Sequence, residues 1–144
     1  MKKLSYFFVL CTFFMTLLLS GCNDEKYELT AYKSLAIASL TYDKTMTTLN
    51  ELYENKVIDE KVIEKAIYFG KKFTPLYFAA VDALEKFVAS NDETVLANCK
   101  TAIKAALSSL DELKEFASTF KVDVDKEVSS IVTDANAKEI VEGR

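Results

Sequence analysis

The feature that most constrains this chain is a set of three long stripes of apolar residues at helical spacing. In each stripe the steps alternate between three and four residues, which places its members along one side of an α-helix. An isolated helix cannot bury such a stripe, whereas three helices packed together can bury all of them. The sequence therefore predicts an all-α fold, an antiparallel three-helix bundle. The first stripe is Tyr32, Leu35, Ser39, Tyr42, Met46, Leu49 and Tyr53, the second is Ile63, Ala66, Gly70, Phe73, Tyr77, Ala80, Leu84 and Phe87, and the third is Leu96, Cys99, Ile103, Ala106, Leu110, Leu113, Ala117 and Phe120.

Polar segments separate the three stripes and supply signals for helix starts. Residues 55–59 lie between the first two stripes, and Asp59 is placed to cap the second helix. Residues 90–93 lie between the second and third, where Ser90 and Glu93 have the spacing of a capping box. These connections are short, so they predict antiparallel neighbours.

The C-terminal region predicts a shorter fourth helix that folds back on the bundle. Asp123, Asp125 and Glu127 place acids in its first turn, where the helix dipole favours negative charge. Its apolar residues form a narrower stripe than those of the first three helices. They are Val124, Val128, Ile131, Val132 and Ala135.

Gly70 and Pro75 interrupt the second stripe and leave two interpretations open. The stripe stays in phase across both residues, which favours one continuous helix with a kink. The alternative ends one helix near Gly70 and starts another with Thr74 as its cap and Pro75 in its first turn, where proline is tolerated. We expect the continuous helix.

The N-terminus has the layout of an export signal. We predict that this segment forms a signal helix. Lys2 and Lys3 precede an apolar run over residues 4–19, which ends in Leu19-Ser20-Gly21-Cys22. These last four residues resemble the lipobox of bacterial membrane lipoproteins: an aliphatic residue, a small residue, Gly or Ala, then Cys. An ordinary signal peptide or an uncleaved anchor that ends in Cys is the alternative.

The lipobox resemblance implies a specific modification. A diacylglyceryl thioether forms on the Cys22 sulfur, the signal is cut between Gly21 and Cys22, and the new amino group can take a third acyl chain such as palmitate. Two acyl chains suffice for stable anchoring, so the protein is expected to be tethered to a membrane without spanning it. Asn23 favours the outer membrane in a host with two membranes. The predicted organisation is a signal peptide over 1–21, a short tether over 22–27 and a helical domain over 28–144.

Charge and residue types exclude several functions. Cleavage would remove Lys2 and Lys3, which leaves 16 basic and 22 acidic residues and a net charge of −6. Such an acidic chain is a poor partner for nucleic acid, whose binding depends on phosphate contacts. The chain has no histidine, so the usual triads and most zinc sites are excluded. Cys99 lies within an apolar stripe and is expected to be a packing residue rather than a nucleophile.

Acidic clusters do not predict catalysis or a metal site. The pairs that begin at Asp59, Asp92 and Asp111 lie at helix starts or on polar faces rather than across a cleft. The acids at 123, 125 and 127 resemble the start of a calcium loop, but Val128 stands where that loop needs glycine. We expect no metal, no cofactor and no enzymatic activity.

Two groups of apolar residues are candidate sites. Ile67, Phe78 and Val81 form a second strip on the second helix, which we expect the fourth helix to cover; left open, it would be a surface for a protein partner or for self-association. Met46, Phe73 and Tyr77 are the candidate lining of a ligand slot near Gly70, where a kink would leave a gap. The tyrosines at 32, 42 and 53 are expected at the edge of the core, with hydroxyls that reach water or a partner.

These observations predict a non-enzymatic, lipid-anchored envelope protein. Its helical surface would bind an envelope protein in a structural, assembly or inhibitory role, for example as an exclusion or immunity lipoprotein of phage or plasmid type. The alternative is a module that binds an apolar small molecule within the bundle. A continuous exposed apolar patch around Phe78 would support the protein partner, whereas an enclosed cavity lined by Phe73, Tyr77 and Met46 would support the ligand.

Overall fold

The computed structural model describes residues 24–90 and 92–144, which form five helices and no strand. The predicted all-α bundle is confirmed: three long helices pack together, followed by short C-terminal ones. The predicted signal peptide and the lipobox-like residues 19–22 lie outside the described residues. The first helix begins at Asp24, so residues 24–27, assigned above to a tether, are helical. The helices are α1 (Asp24–Glu54), α2 (Glu60–Ser90), α3 (Glu93–Ser118), α4 (Asp125–Ile131) and α5 (Ala137–Glu142).

Aromatic contacts establish that α1 and α2 run antiparallel. Near the start of α1, the ring of Tyr27 lies edge-on to Phe87 with centroids 5.7 Å apart, and farther along Tyr42 stacks on Phe73 at 4.9 Å. Residue numbers therefore rise along one helix as they fall along the other. All eight members of the second predicted stripe are buried in this interface and the adjoining one.

The α2 and α3 helices form a closely packed antiparallel pair. The ring of Phe69 lies 5.4 Å from that of Phe116, and Lys72 donates to both carboxylate oxygens of Glu112 at 2.6 Å. Cys99 and most other members of the third stripe are buried against α1 and α2. The three long helices thus form an up-down-up bundle.

Helix α1 is the central helix of the fold, because it is buried on two sides. One side packs on α2 and α3, and the other packs on residues 125–144, hereafter the C-terminal segment. Many of the buried side chains of α1 are small, which allows other helices to approach closely on both sides. The buried residues of α1 are Ala31, Tyr32, Leu35, Ala36, Ala38, Ser39, Thr41, Thr45 and Leu49.

The C-terminal segment contains two short helices where the sequence predicted one. The side chain of Asn136 breaks the helix, since it accepts from the Thr133 N–H at 2.8 Å and donates to the Ile131 carbonyl at 3.0 Å. These bonds satisfy backbone groups that a continuous helix would have paired. The chain reverses there, so α4 runs antiparallel to α1 and α5 returns parallel to it.

Small apolar side chains and ion pairs attach the C-terminal segment to α1. Val128, Val132, Ala137 and Val141 are buried in the contact. Three ion pairs flank it: Lys33 with Asp134 at 2.8 Å, Lys44 with Glu127, and Arg144 with Asp43 at 2.5 Å. Exposed ion pairs of this kind each contribute little, so the apolar contacts supply most of the attachment.

Helix starts follow the sequence prediction at one connection and differ at the other. Asp59 accepts from the N–H of Val62 at 3.1 Å and caps α2, as predicted. The predicted capping box at Ser90 and Glu93 is wrong. Asp92 is the N-cap of α3: its carboxylate accepts from Thr94 and Val95, which lowers its pKa because these bonds favour the charged form. Ser90 instead ends α2, and its hydroxyl accepts from the Asp92 N–H at 3.4 Å.

Helices α1 and α3 end in the same motif, with a lysine in the left-handed conformation. Lys56 has φ 59° and Lys121 has φ 63°. The N–H of Val57 donates to the Leu52 carbonyl at 2.9 Å, and the N–H of Val122 donates to the Ala117 carbonyl at 3.3 Å. Together with bonds from each lysine N–H, these are Schellman motifs, which usually carry glycine at the lysine position.

Helix α2 is continuous through Pro75, as expected. Pro75 is exposed, so the carbonyl of Lys71, which loses its usual donor, lies on the solvent side of the helix. The hydroxyl of Thr74 donates to the Gly70 carbonyl at 2.9 Å and adds a local hydrogen bond next to the backbone bond that Pro75 cannot form.

Replacing either left-handed lysine with glycine should stabilise the protein. Lys56→Gly or Lys121→Gly removes the cost of a left-handed conformation in a residue with a Cβ, and we expect a gain of about 0.5–1 kcal/mol in the free energy of unfolding after the added freedom of the unfolded chain is subtracted. Denaturant titration measures this change. Lys104→Gly, at an exposed mid-helix position of α3, is the matched control and should lose about 1 kcal/mol. A loss at positions 56 and 121 as large as that at 104 would contradict this account of the helix ends.

Candidate partner-binding surface

The outward face of α2 carries large apolar side chains in contact with solvent. Ile67 is 44% exposed, Tyr68 64% and Phe78 52%, and Pro75 and Lys71 are exposed between them. Because Ile67 and Phe78 are three helical turns apart on one side of α2, these residues share one elongated face. We call Ile67, Tyr68, Lys71, Pro75 and Phe78 the α2 surface.

The prediction that a fourth helix covers this strip is wrong. The C-terminal segment packs mainly on α1, where Val128, Val132 and Val141 are buried. Two members of the predicted strip, Ile67 and Phe78, are consequently exposed. The third, Val81, is only partly exposed and packs against the core.

Neighbouring rings hold the exposed rings of the α2 surface in place. Tyr68 lies edge-on to Phe69 at 5.8 Å, and Phe69 rests against Phe116 of α3. Phe78 lies edge-on to the buried ring of Tyr77 at 5.6 Å. Rings that are already held lose less side-chain freedom when a partner binds, so this surface is suited to binding. The hydrophobic strip deduced from the sequence did not include Tyr68, whose position one residue after Ile67 falls outside the strip's spacing.

Lysines lie around the part of the α2 surface that contains Ile67 and Tyr68. Residues 61–72 contain four lysines and one acid, Glu64. Lys72 is paired with Glu112, whereas Lys61, Lys65 and Lys71 have no ion pair among the residues that the structure describes. Lys65 instead lies over the Phe116 ring, 5.2 Å from its centroid.

The space next to Gly70 is filled by Tyr42. A Cβ at Gly70 would lie 2.6 Å from the Tyr42 hydroxyl oxygen and 3.4 Å from two of its ring carbons. Glycine at this position therefore admits the Tyr42 ring, which stacks on Phe73. Of the predicted slot residues, Phe73 and Tyr77 are buried side by side and Met46 is partly buried. The geometry next to Gly70 offers no gap for a ligand, so the small-molecule alternative gains no support there.

Two buried tyrosines of the bundle have raised pKa values. Burial, followed by the nearby acid Glu142, raises the pKa of Tyr32 to about 12, and Lys138 lies over its ring at 5.5 Å. Burial also raises the pKa of Tyr77, whose hydroxyl faces Ser39 without a hydrogen bond of good geometry. Both hydroxyls stay protonated at neutral pH, and neither is available as a base. Tyr32 is thus inside the core rather than at its edge, while Tyr42 is half-buried and Tyr53 is exposed.

Cys99 is fully buried, as the sequence predicted. Burial is the main cause that raises the pKa of its thiol, and the Tyr27 hydroxyl lies 3.9 Å from its sulfur. A thiol that is both neutral and inaccessible is a poor nucleophile. It contributes packing at the end of the bundle where α1 begins.

Members of the acidic clusters form ion pairs and cap helices. Lys114 pairs with Asp125 at 2.6 Å beside an open cleft of about 270 Å³ that Thr45 and Asp123 also line. Within residues 24–90 and 92–144, no three side chains of metal-ligating type are grouped to hold an ion.

Over the same two ranges, no helix has both the length and the apolar character needed to cross a membrane. No family model matches the chain, and neither a curated protein nor a solved structure does.

The fit of Tyr42 against Gly70 is testable with two substitutions. Gly70→Ala should gain about 1 kcal/mol from helix propensity, but the 2.6 Å approach to the Tyr42 hydroxyl must be relieved, so we expect a net loss of stability in the natural chain. In a Tyr42→Phe background the closest atom is gone, and Gly70→Ala should become neutral or stabilising. Denaturant titration of the two single variants and the double variant measures this coupling. Equal effects of Gly70→Ala in both backgrounds would contradict the proposed contact.

Proposed function

We propose that this chain is a lipid-anchored cell-envelope protein that acts without catalysis by binding another envelope protein through the α2 surface. The observation that carries the proposal is the exposure of Ile67, Tyr68 and Phe78 on a helix whose other side is fully packed. Contiguous exposed apolar residues on a small domain are typical of an interaction site, and aromatic residues commonly dominate the binding energy there.

The lipobox supports the anchoring part of the proposal. The described part of α1 starts at Asp24, two residues after Cys22, so a lipid on Cys22 would hold the start of α1 at the bilayer. The end of α2 lies at that same end of the bundle, because Phe87 contacts Tyr27. An anchor at this position keeps the domain next to other proteins of the same membrane and raises their effective concentration.

The bundle would present the α2 surface to the side, at a distance from the bilayer. Phe78 precedes Phe87 by nine residues and Ile67 precedes it by 20. At about 1.5 Å per residue, they stand roughly 14 and 30 Å farther from the anchored end than the Tyr27–Phe87 contact. A partner would therefore have to project from the membrane by a comparable distance.

The chemistry of the domain supports a binding role over a catalytic one. Histidine is absent from the chain, and Cys99 is buried with a raised pKa. Tyr32 and Tyr77 also have raised pKa values, so neither provides a base at neutral pH. Whether the binding is structural, assists assembly or inhibits the partner, as in phage or plasmid exclusion, stays a prediction.

The anchor is tested by Cys22→Ala. We expect the natural protein to fractionate with membranes and to carry the mass of a diacylglyceryl group on the peptide that begins at Cys22. The variant lacks the acceptor sulfur, so neither the lipid mass nor cleavage before residue 22 should be observed. Mass spectrometry of the N-terminal peptide measures both. A natural protein cleaved elsewhere and free of lipid would contradict the anchor.

The partner is tested by replacing Phe78 with the photo-crosslinking residue benzoylphenylalanine in living cells. We expect a discrete crosslinked product to one envelope protein, because the side chain at 78 lies within the proposed contact. Ile131, on α4, is the matched control position, since it is similarly exposed but belongs to a helix that packs on α1. Crosslinks from both positions to the same product, or from neither, would contradict the proposed surface.

A further inference from the structure

The part of α2 that carries Ile67 and Tyr68 differs in charge from the rest of the domain, including the Phe78 end of the α2 surface, which Asp82 and Glu85 follow. Residues 61–72 carry a net charge of +3, whereas residues 22–144 as a whole carry −6. The remainder of this region is therefore strongly acidic, and the lysines are concentrated at one place, beside Ile67 and Tyr68. Charges around an apolar contact act mainly on partner choice and association rate.

Three of these lysines are free to interact with a partner. Lys61 and Lys71 are exposed, and Lys65 is exposed while it lies over Phe116. No carboxylate among the described residues forms an ion pair with any of the three. The one acid among residues 61–72 is Glu64, so the lysines outnumber the acids there and an acidic group on another molecule would gain the interaction.

A second copy of this chain fits the surface poorly. Two copies anchored through Cys22 in the same leaflet would have their α2 helices parallel. A symmetric contact between the two α2 surfaces would then bring Lys71 of one copy opposite Lys71 of the other. Like charges placed opposite each other oppose association, and a two-fold interface repeats each such conflict.

A lipid surface also fits less well than a protein. If the α2 surface lay flat on the bilayer, α1 would be lifted by about one interhelical distance of 8–10 Å above α2. Only Asn23 lies between Cys22 and the described part of α1. A link this short favours a bundle that stands on its end, with the α2 surface turned sideways.

We infer that the partner segment that docks on the α2 surface is apolar and acidic: a helix or extended strand with aliphatic or aromatic side chains flanked by Asp or Glu. The apolar side chains pack on Ile67, Tyr68 and Phe78, and the flanking carboxylates pair with Lys61, Lys65 and Lys71. This inference rests on the proposed function and adds the charge of the partner to it.

The test compares two synthetic helical peptides against the full, lipid-anchored chain in detergent micelles. Both peptides have the same leucine and phenylalanine side, flanked by glutamate in one and by lysine in the other. Fluorescence anisotropy should show the glutamate peptide binding at least tenfold more tightly at low salt, with the difference shrinking at high salt because the charges are screened. Equal affinity, or no binding of either peptide, would overturn the inference.

Matched variants locate the binding. Ile67→Ser should weaken the glutamate peptide about tenfold, whereas Ile131→Ser, at a residue of the same type and the same 44% exposure, should leave it unchanged. Lys61→Glu with Lys71→Glu should reverse the peptide preference. The equivalent change at Lys104 and Lys126, two exposed lysines away from α2, should leave the preference intact. Equal effects of the two isoleucine variants or of the two double-lysine variants would overturn the inference.

A second copy of the chain, or the lipid bilayer, on the α2 surface would give distinct results. Sedimentation equilibrium that shows a dimer lost in Ile67→Ser would overturn the inference in favour of a second copy. An environment-sensitive dye on Phe78→Cys that becomes quenched by lipid-borne quenchers in phosphatidylglycerol vesicles would overturn it in favour of the bilayer. If the peptides show no charge preference while Phe78 still crosslinks to an envelope protein in cells, only the acidic character of the partner is wrong and the proposed function stands.

Discussion

The burial of α1 on two sides is the constraint on which the rest of this structure depends. On one side it completes the three-helix core, with Leu35 and Leu49 fully buried. On the other side it provides the seat for the C-terminal segment, whose two helices have seven and six residues and depend on packing for their stability. Because that segment packs on α1, it does not reach the outward face of α2. The one arrangement therefore closes the core and leaves the α2 surface open.

The sequence predicted the long helices because their stripes are strongly periodic. All eight members of the second stripe are buried, and the interruption at Gly70 and Pro75 did not end that helix. The second buried side of α1 was not predictable in the same way. Ala36, Thr41 and Thr45 of α1 are buried although they lie outside the predicted stripe, and their small or hydroxyl-bearing side chains do not mark a core by hydropathy. For this reason the fourth helix was expected on the wrong neighbour.

Local backbone chemistry explains the other differences. The break in the C-terminal segment depends on two hydrogen bonds from one side chain, Asn136, which no periodic pattern reports. The ends of α1 and α3 use Lys56 and Lys121 where glycine is the usual indicator. Within the α2 surface, Ile67 and Phe78 followed from helical spacing. The exposure of Tyr68 could be read only from the structure. The same is true of the three lysines that form no ion pair among the described residues.

The central claim, that a partner occupies the α2 surface in the envelope, is tested most directly by accessibility in native membranes. Single variants Ile67→Cys, Phe78→Cys and Ile131→Cys would each be treated with a hydrophilic maleimide, in the native envelope and after purification; Cys99 is buried and gives no background in the folded protein. The account predicts that cysteines at 67 and 78 react slowly in the envelope and rapidly once purified, while 131 reacts rapidly in both. Rapid reaction of all three in the native envelope would contradict it.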